Sequence, residues 1–267
     1  MKLAHIVPTA LLPHTYHQDA FLCLSNLIVR DEFYAEFHRQ QVAAGKLVIL
    51  DNPVHENEPL NLDEWSMAIQ LLHPTVINLP DVIDDWEQTV ALAKVCSPRA
   101  HALSPDSYLM AVPHGVEHSD FLACVRQLYA LRDPVIDWFG VSLERRLEND
   151  QLAFERRIRR IRILQTEPGI NQRNVHLLGV SEQAYELRSP IFRHVTSADT
   201  SKFAVWALNG DPLFPPAPVT VPYPGRESLG GSVKYFGYDP PAGFDPKVLF
   251  ESLEAWSHYA ENGAYQL

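Results

Sequence analysis

Cysteine is scarce in this chain. Cys23, Cys96 and Cys124 are the only three in 267 residues. They are odd in number and lack any Cys-x-x-Cys spacing, so neither a disulfide framework nor a cysteine-based zinc knuckle is expected. Glycine is also sparse. The 12 glycines form no G-x-G-x-x-G and no G-x-x-x-x-G-K-S/T, which removes the dinucleotide fingerprint and the phosphate loop. No run approaches the ~20 consecutive apolar residues that a bilayer span needs. The N-terminal Met1-Lys2-Leu3-Ala4-His5 turns polar and Pro-containing too early for a secretory signal. A cytoplasmic protein without a membrane partner is therefore expected. Positive charge is in deficit: 22 basic residues against 33 acidic ones give a net charge of −11, which argues against a surface coated on every side by nucleic acid.

Apolar residues make up 46% of the chain and charged ones 21%, enough to bury a full core and too balanced for disorder. Short β-branched runs alternate with segments of helical period, the pattern of a parallel sheet. Strands are expected at Leu3 to Val7, Leu47 to Leu50, Val76 to Leu79, Leu109 to Val112, Val135 to Val141, Val175 to Leu178 and Phe192 to Thr196. Between them, Asn61 with Glu64 reads as a capping box ahead of Trp65, Ile69 and Leu72. Ser119 reads as the cap of a helix carrying Phe121, Val125 and Leu128. An eighth strand is not visible. The reading is an α/β chain folded as a (β/α)8 TIM-like barrel with irregular ends; a doubly wound open sheet is the alternative, without its Gly-rich turn. Residues 1–210 are assigned to the barrel. Residues 211–267 are assigned to a Pro-rich arm or lid, with Phe214 and Tyr223, and a closing helix from about Pro246 to Tyr259 packed on the same domain. Nine of the 21 prolines lie between Pro212 and Pro246, a composition unsuited to a regular crossover.

In such a barrel the functional groups stand at the C-terminal strand ends. Those ends read Asp51-Asn52, Pro80-Asp81, Pro113-His114-Gly115, Gly140-Val141-Ser142, Leu178-Gly179 and Ser197-Ala198-Asp199-Thr200-Ser201. Three aspartates facing one pocket suit metal binding or chemistry at a sugar carbon. For the latter, one carboxylate attacks C1′, a second moves the proton and a third meets the N–H edge of a purine-like base. Small ends at Gly115, Gly140 and Gly179 would let a flat base approach the backbone.

The ordered set Leu50-Asp51-Asn52, Asn78-Leu79-Pro80-Asp81, Val175-His176-Leu177-Leu178-Gly179 and Ser197-Ala198-Asp199-Thr200-Ser201 resembles the tRNA-guanine transglycosylase superfamily. It is most similar to the short phage and bacterial branch that inserts 7-deazaguanines into DNA, over roughly residues 45–210. The resemblance implies that Asp199 is the nucleophile, Asp51 the general acid/base and Asp81 the group that recognises the base. Asn52, His114, Gly115, Gly140 and Gly179 would complete the base pocket. It implies DNA and a free 7-deazaguanine as partners, tRNA as the alternative polynucleotide, and no consumed cofactor. Two features of the tRNA enzymes are missing: the Gly-Gly-Phe-Gln run, replaced here by Asn52-Pro53-Val54-His55, and the zinc site of three cysteines and a histidine. Neither a bound metal nor an extra RNA-binding domain after the barrel is expected.

Other readings compete. His114-Gly115-Val116-Glu117-His118 matches H-x-x-E-H, but Pro113 and Gly115 make it a strand-to-helix turn rather than a zinc-binding helix. A metal-dependent barrel hydrolase is the stronger rival, with 12 histidines but no H-x-H pair, and a non-catalytic base-binding protein is a third. Eight of the 22 basic residues are Arg145, Arg146, Arg156, Arg157, Arg159, Arg160, Arg162 and Arg173. Arg156, Arg157, Arg159 and Arg160 are the expected phosphate contacts; the alternative is a solvated face laced with Glu144, Glu148 and Glu155.

Overall fold

Strand register decides which side chains fill the interior and which meet the helices, because neighbours paired in a parallel ladder point to the same face. The computed structural model describes residues 1–53, 59–143, 150–180, 185–208, 237, 240 and 243–262. Eight parallel strands close a barrel in chain order: β1 (Lys2–His5), β2 (Ala20–Leu24), β3 (Leu47–Asp51), β4 (Val76–Asn78), β5 (Tyr108–Ala111), β6 (Trp138–Ser142), β7 (Asn174–Leu178) and β8 (Ser197–Thr200). Leu24 lies opposite Asp51, Asn78 opposite Met110, Met110 opposite Trp138, Gly140 opposite His176, His176 opposite Ser197, and Asp199 opposite Ala4. These form the inward set. The alternate positions Phe21, Val48, Leu50, Ile77, Leu109, Phe139, Leu177 and Ala198 are apolar and buried, as strands covered by helices require.

The described helices are α1 (Ser25–Arg30), α2 (Glu32–Ala43), α3 (Leu62–Leu72), α4 (Trp86–Leu103), α5 (His118–Tyr129), α6 (Asp150–Thr166), α7 (Tyr185–Arg188), α8 (Lys202–Leu208) and α9 (Pro246–Asn262). Asn61 caps α3 by accepting from the Asp63 and Glu64 N–H groups. The second arm of the expected box is spent elsewhere, since Glu64 pairs with Arg30 at 2.9 Å. Helix α5 begins earlier than Ser119 suggests: it is capped at Glu117, whose N–H donates to the Asp120 carboxylate at 3.2 Å.

Two strand expectations are corrected. The missing strand is β2, Ala-Phe-Leu-Cys-Leu, which carries no alternation because every residue in it is buried. The stretch expected as a strand from Phe192 to Thr196 instead holds a 3-10 turn, Pro190–His194. Phe192 of that turn stacks on Phe154 of α6 at 5.7 Å, and the strand follows it.

The closing helix α9 packs against α8 and β1. Leu249, Leu253 and Trp256 are buried on it, and the Trp256 ring stacks on Phe203 at 4.2 Å. Val248, expected on the same apolar side, is instead exposed. The Pro-rich stretch with Phe214 and Tyr223, Arg145 and Arg146, and Val54-His55 lie outside the described residues. Among the described residues no helix is long and apolar enough to cross a membrane.

Two buried imidazoles shape the acid limb of stability. His38 donates through Nδ1 to the Tyr34 carbonyl at 2.8 Å, and burial lowers its pKa to about 4. His5 falls to about 3, chiefly through burial, with nearby His17 adding to the effect. Because the unfolded chain titrates near 6.5, it binds more protons than the folded one below that pH. The stabilisation is complete above about pH 6.5 and is lost progressively as pH falls toward about 4 and below. Urea-unfolding midpoints should therefore drop between about pH 7 and about pH 5, and His38→Gln should make that drop shallower.

Candidate active site at the C-terminal strand ends

The inward register brings the predicted carboxylates to the barrel mouth in two groups. The first spans β3 to β5. Asp51, the last residue of β3, accepts through Oδ1 from Asn78 Nδ2 at 2.6 Å and from the Asn52 N–H at 2.8 Å. Asn52 then turns its own side chain outward from that contact, donating Nδ2 to Asp81 Oδ1 at 3.3 Å. The other oxygen of Asp81 accepts from His114 Nε2 at 2.6 Å, both side chains being almost fully buried. Asn52 thus links two carboxylates, its main chain holding one and its side chain the other. The prolines at 80 and 113 precede Asp81 and His114 and fix the backbone of both turns.

The second group spans β7 and β8. Asp199 Oδ1 accepts from the Gly179 N–H at 3.0 Å and from His176 Nε2 at 3.2 Å. A carboxylate oxygen only accepts, so His176 donates through Nε2, while its Nδ1 is hydrogen-bonded to the Ser197 hydroxyl at 2.8 Å. Among the described residues nothing donates to Asp199 Oδ2. The carboxylate is therefore held by one oxygen and open at the other. His176 was missed as a site residue from sequence. Its position two residues before the end of β7, in the same inward row as Gly140 and Ser197, was the available signal.

The three glycines have different reasons for being glycine. A Cβ on Gly115 would lie 2.4 Å from the Phe121 nitrogen, so the residue lets α5 approach the β5 end rather than a base approach the backbone. At Gly140 a Cβ would meet Val112 Cγ2 at 2.8 Å and Leu178 Cδ1 at 3.2 Å, a packing constraint inside the barrel. Gly179 has open space around it but sits at φ +71°, a conformation that other residues adopt only at a cost.

The arginine stretch is where the structure corrects the sequence reading most. Along α6 the buried positions are Ala153, Arg157, Arg160, Ile161, Ile163 and Leu164, so two of the four expected phosphate contacts are buried with the apolar residues. Arg157 donates to the Leu178 and Gly179 carbonyls and to Glu186, and the side chains of that ion pair are fully buried. Arg160 donates to the Gly115 carbonyl at 2.9 Å, its guanidinium 4.8 Å over the Phe121 ring. Neither can reach a phosphate. Arg159 and Arg162 are exposed and Arg156 is half-buried.

Burial pushes the Cys124 thiol up to about 11 and raises Cys23 well above the usual thiol range, with the Asp51 charge adding to the effect at Cys23. Neither offers a thiolate nucleophile. Among the described residues no three His, Cys, Asp or Glu side chains converge as a metal ion would need. No protein-family model matches the chain, and no curated protein matches it.

The three glycines should differ in what an alanine costs. Gly115→Ala should be the most damaging to thermal stability, because the clashing atom belongs to backbone. Gly179→Ala should cost about 1–2 kcal/mol from the left-handed conformation alone. Gly140→Ala should fall below Gly115→Ala, since its neighbours are side-chain ends that can move. Denaturant unfolding of the three variants checks the order.

Proposed function

We propose that the protein is a base-exchange transglycosylase that replaces guanine with a 7-deazaguanine in a polynucleotide, DNA in preference to tRNA, through a covalent glycosyl-aspartate. The observation that carries this reading is the asymmetry of Asp199, with Oδ1 fixed by two donors and no donor to Oδ2 among the described residues. A carboxylate held in this way is oriented for attack without being spent on the scaffold.

In this mechanism Asp199 Oδ2 attacks C1′ of the target nucleotide. The C1′–N9 bond breaks, and guanine leaves with a proton from Asp51. The incoming base binds in the vacated place, Asp51 takes its N9 proton, and N9 displaces Asp199 from C1′. Two inversions give net retention. Asp81 recognises the base as part of a rigid couple, since His114 and Asn52 fix both its oxygens and leave its remaining lone pairs for N–H donors on the ligand. The covalent intermediate conserves the glycosidic bond energy, so the exchange consumes no cofactor. The preference for DNA rests on the resemblance and on the missing features of the tRNA enzymes.

Asp199→Asn should keep the fold, because its amide oxygen can still accept from Gly179, yet lose base exchange by several orders of magnitude. It should also form no denaturation-resistant adduct with an oligonucleotide. An Asp199→Asn protein that still exchanges labelled guanine overturns the mechanism.

Polynucleotide docking on α6 falls to its outer face. If Arg159 and Arg162 meet phosphates, replacing both with Gln should flatten the slope of log affinity against log salt by about 1.4 on a single strand or about 1.8 on a duplex. Calorimetric binding of the free base should be unchanged. A slope equal to the parent's places the docking surface elsewhere.

A further inference from the structure

We infer that Arg157 is a positioning residue for Asp199, acting through the single peptide group between Leu178 and Gly179. The inference rests on the reading of Asp199 as the nucleophile. That peptide group is engaged at both ends. Its oxygen accepts from Arg157 Nη2 at 2.7 Å, and its nitrogen donates to Asp199 Oδ1 at 3.0 Å. A guanidinium on the carbonyl draws electron density from the N–H and strengthens it as a donor, as hydrogen bonds in series do in a low-dielectric interior. The other arm of the fork, Nη1, holds the Gly179 carbonyl at 2.5 Å and Glu186 Oε1 at 2.9 Å. Arg157 therefore fixes the carbonyls on both sides of the Gly179 Cα, where φ is +71°, and this conformation aims the N–H at the carboxylate. A buried ion pair adds little net stability over well-packed apolar residues of the same volume. What this one supplies is a fixed charge behind the nucleophile.

The donors matter most in the second displacement. In the first, Oδ2 bonds to C1′, the C1′–N9 pair leaves with guanine, and Asp51 protonates it. In the second, N9 of the incoming base, its proton passed to Asp51, bonds to C1′. The C1′–Oδ2 pair then returns to the carboxylate. The charge regained is shared with Oδ1, where Gly179 N–H and His176 Nε2–H already stand. Weakening the Gly179 donor should slow departure of Asp199 and leave the adduct standing.

Two measurements test this, on the full-length protein. The first is the amide resonance of Gly179 in a proton–nitrogen correlation spectrum, which needs no activity. Asp199→Asn should move it upfield. The double variant Arg157→Gln/Glu186→Gln, which removes both buried charges together, should move it the same way, and Arg157→Lys should move it less. The second measurement is base exchange. Arg157→Lys and the double variant should lower kcat by about ten- to a hundredfold, less than loss of a whole oxyanion donor. KM for the free base should stay unchanged, and the adduct should accumulate, with Arg157→Lys the milder of the two. If the double variant does not fold, Arg157→Lys alone carries both readouts. A folded variant with the Gly179 resonance and kcat of the parent overturns the inference. A parent that performs no base exchange overturns the proposed function instead, and a resonance that still moves with Arg157 and Asp199 upholds the wiring.

Discussion

Two guanidinium groups buried behind strand ends hold the mouth of this barrel in shape. Arg157 and Arg160 are one helical turn apart on α6, and each closes on main-chain carbonyls: Leu178 and Gly179 for the first, Gly115 for the second. Burying a charge is costly unless its hydrogen-bonding capacity is met. Here carbonyls, the Glu186 carboxylate and the Phe121 face meet much of it. The consequence is that the β5 and β7 ends, which carry His114 and Gly179, are tied to one rigid helix. Breaking such an arrangement by removing one partner leaves a charge stranded, a loss of about 3–5 kcal/mol.

From those two anchors the rest of the mouth is set by short bonds between neighbours. Asn78, Asp51, Asn52, Asp81 and His114 form one continuous chain of contacts across β3, β4 and β5. Ser197, His176, Asp199 and Gly179 form another across β7 and β8. Each group contains one His–Asp couple, and in each the imidazole donates to the carboxylate. The two halves differ in what they leave over. Both oxygens of Asp81 are engaged by protein, which suits a rigid recognition element. Asp199 keeps one oxygen out of the network, which suits a nucleophile.

The barrel was legible because its outward strand faces must be apolar and its crossovers helical, and both leave periodic marks. Strand β2 left no such mark, since a strand buried on both faces reads like any short apolar run. Phe192 was apolar for packing against Phe154, not for pairing in a ladder, which misplaced the last strand by several residues. In the structure Arg157 and Arg160 share the buried stripe of Ala153, Ile161 and Leu164 on α6. A charged residue on such a stripe nonetheless reads as solvated, because the carbonyls that make its burial tolerable carry no side-chain signature.

The amino-acid sequence determined the alternation that closes the barrel and the kinds of groups at its strand ends: three carboxylates, a histidine and small residues. These follow from local chemistry and from periods of 2.0 and 3.6 residues, which are properties of the chain itself. Only the tertiary structure decided which groups meet. His176 reaches Asp199 across a ladder, Asn52 joins the carboxylates that end β3 and follow β4, and an arginine on a helix before β7 stands behind a carboxylate in β8. Register and helix docking set those pairings. They are fixed by contacts between segments distant in sequence, so no single segment carries them.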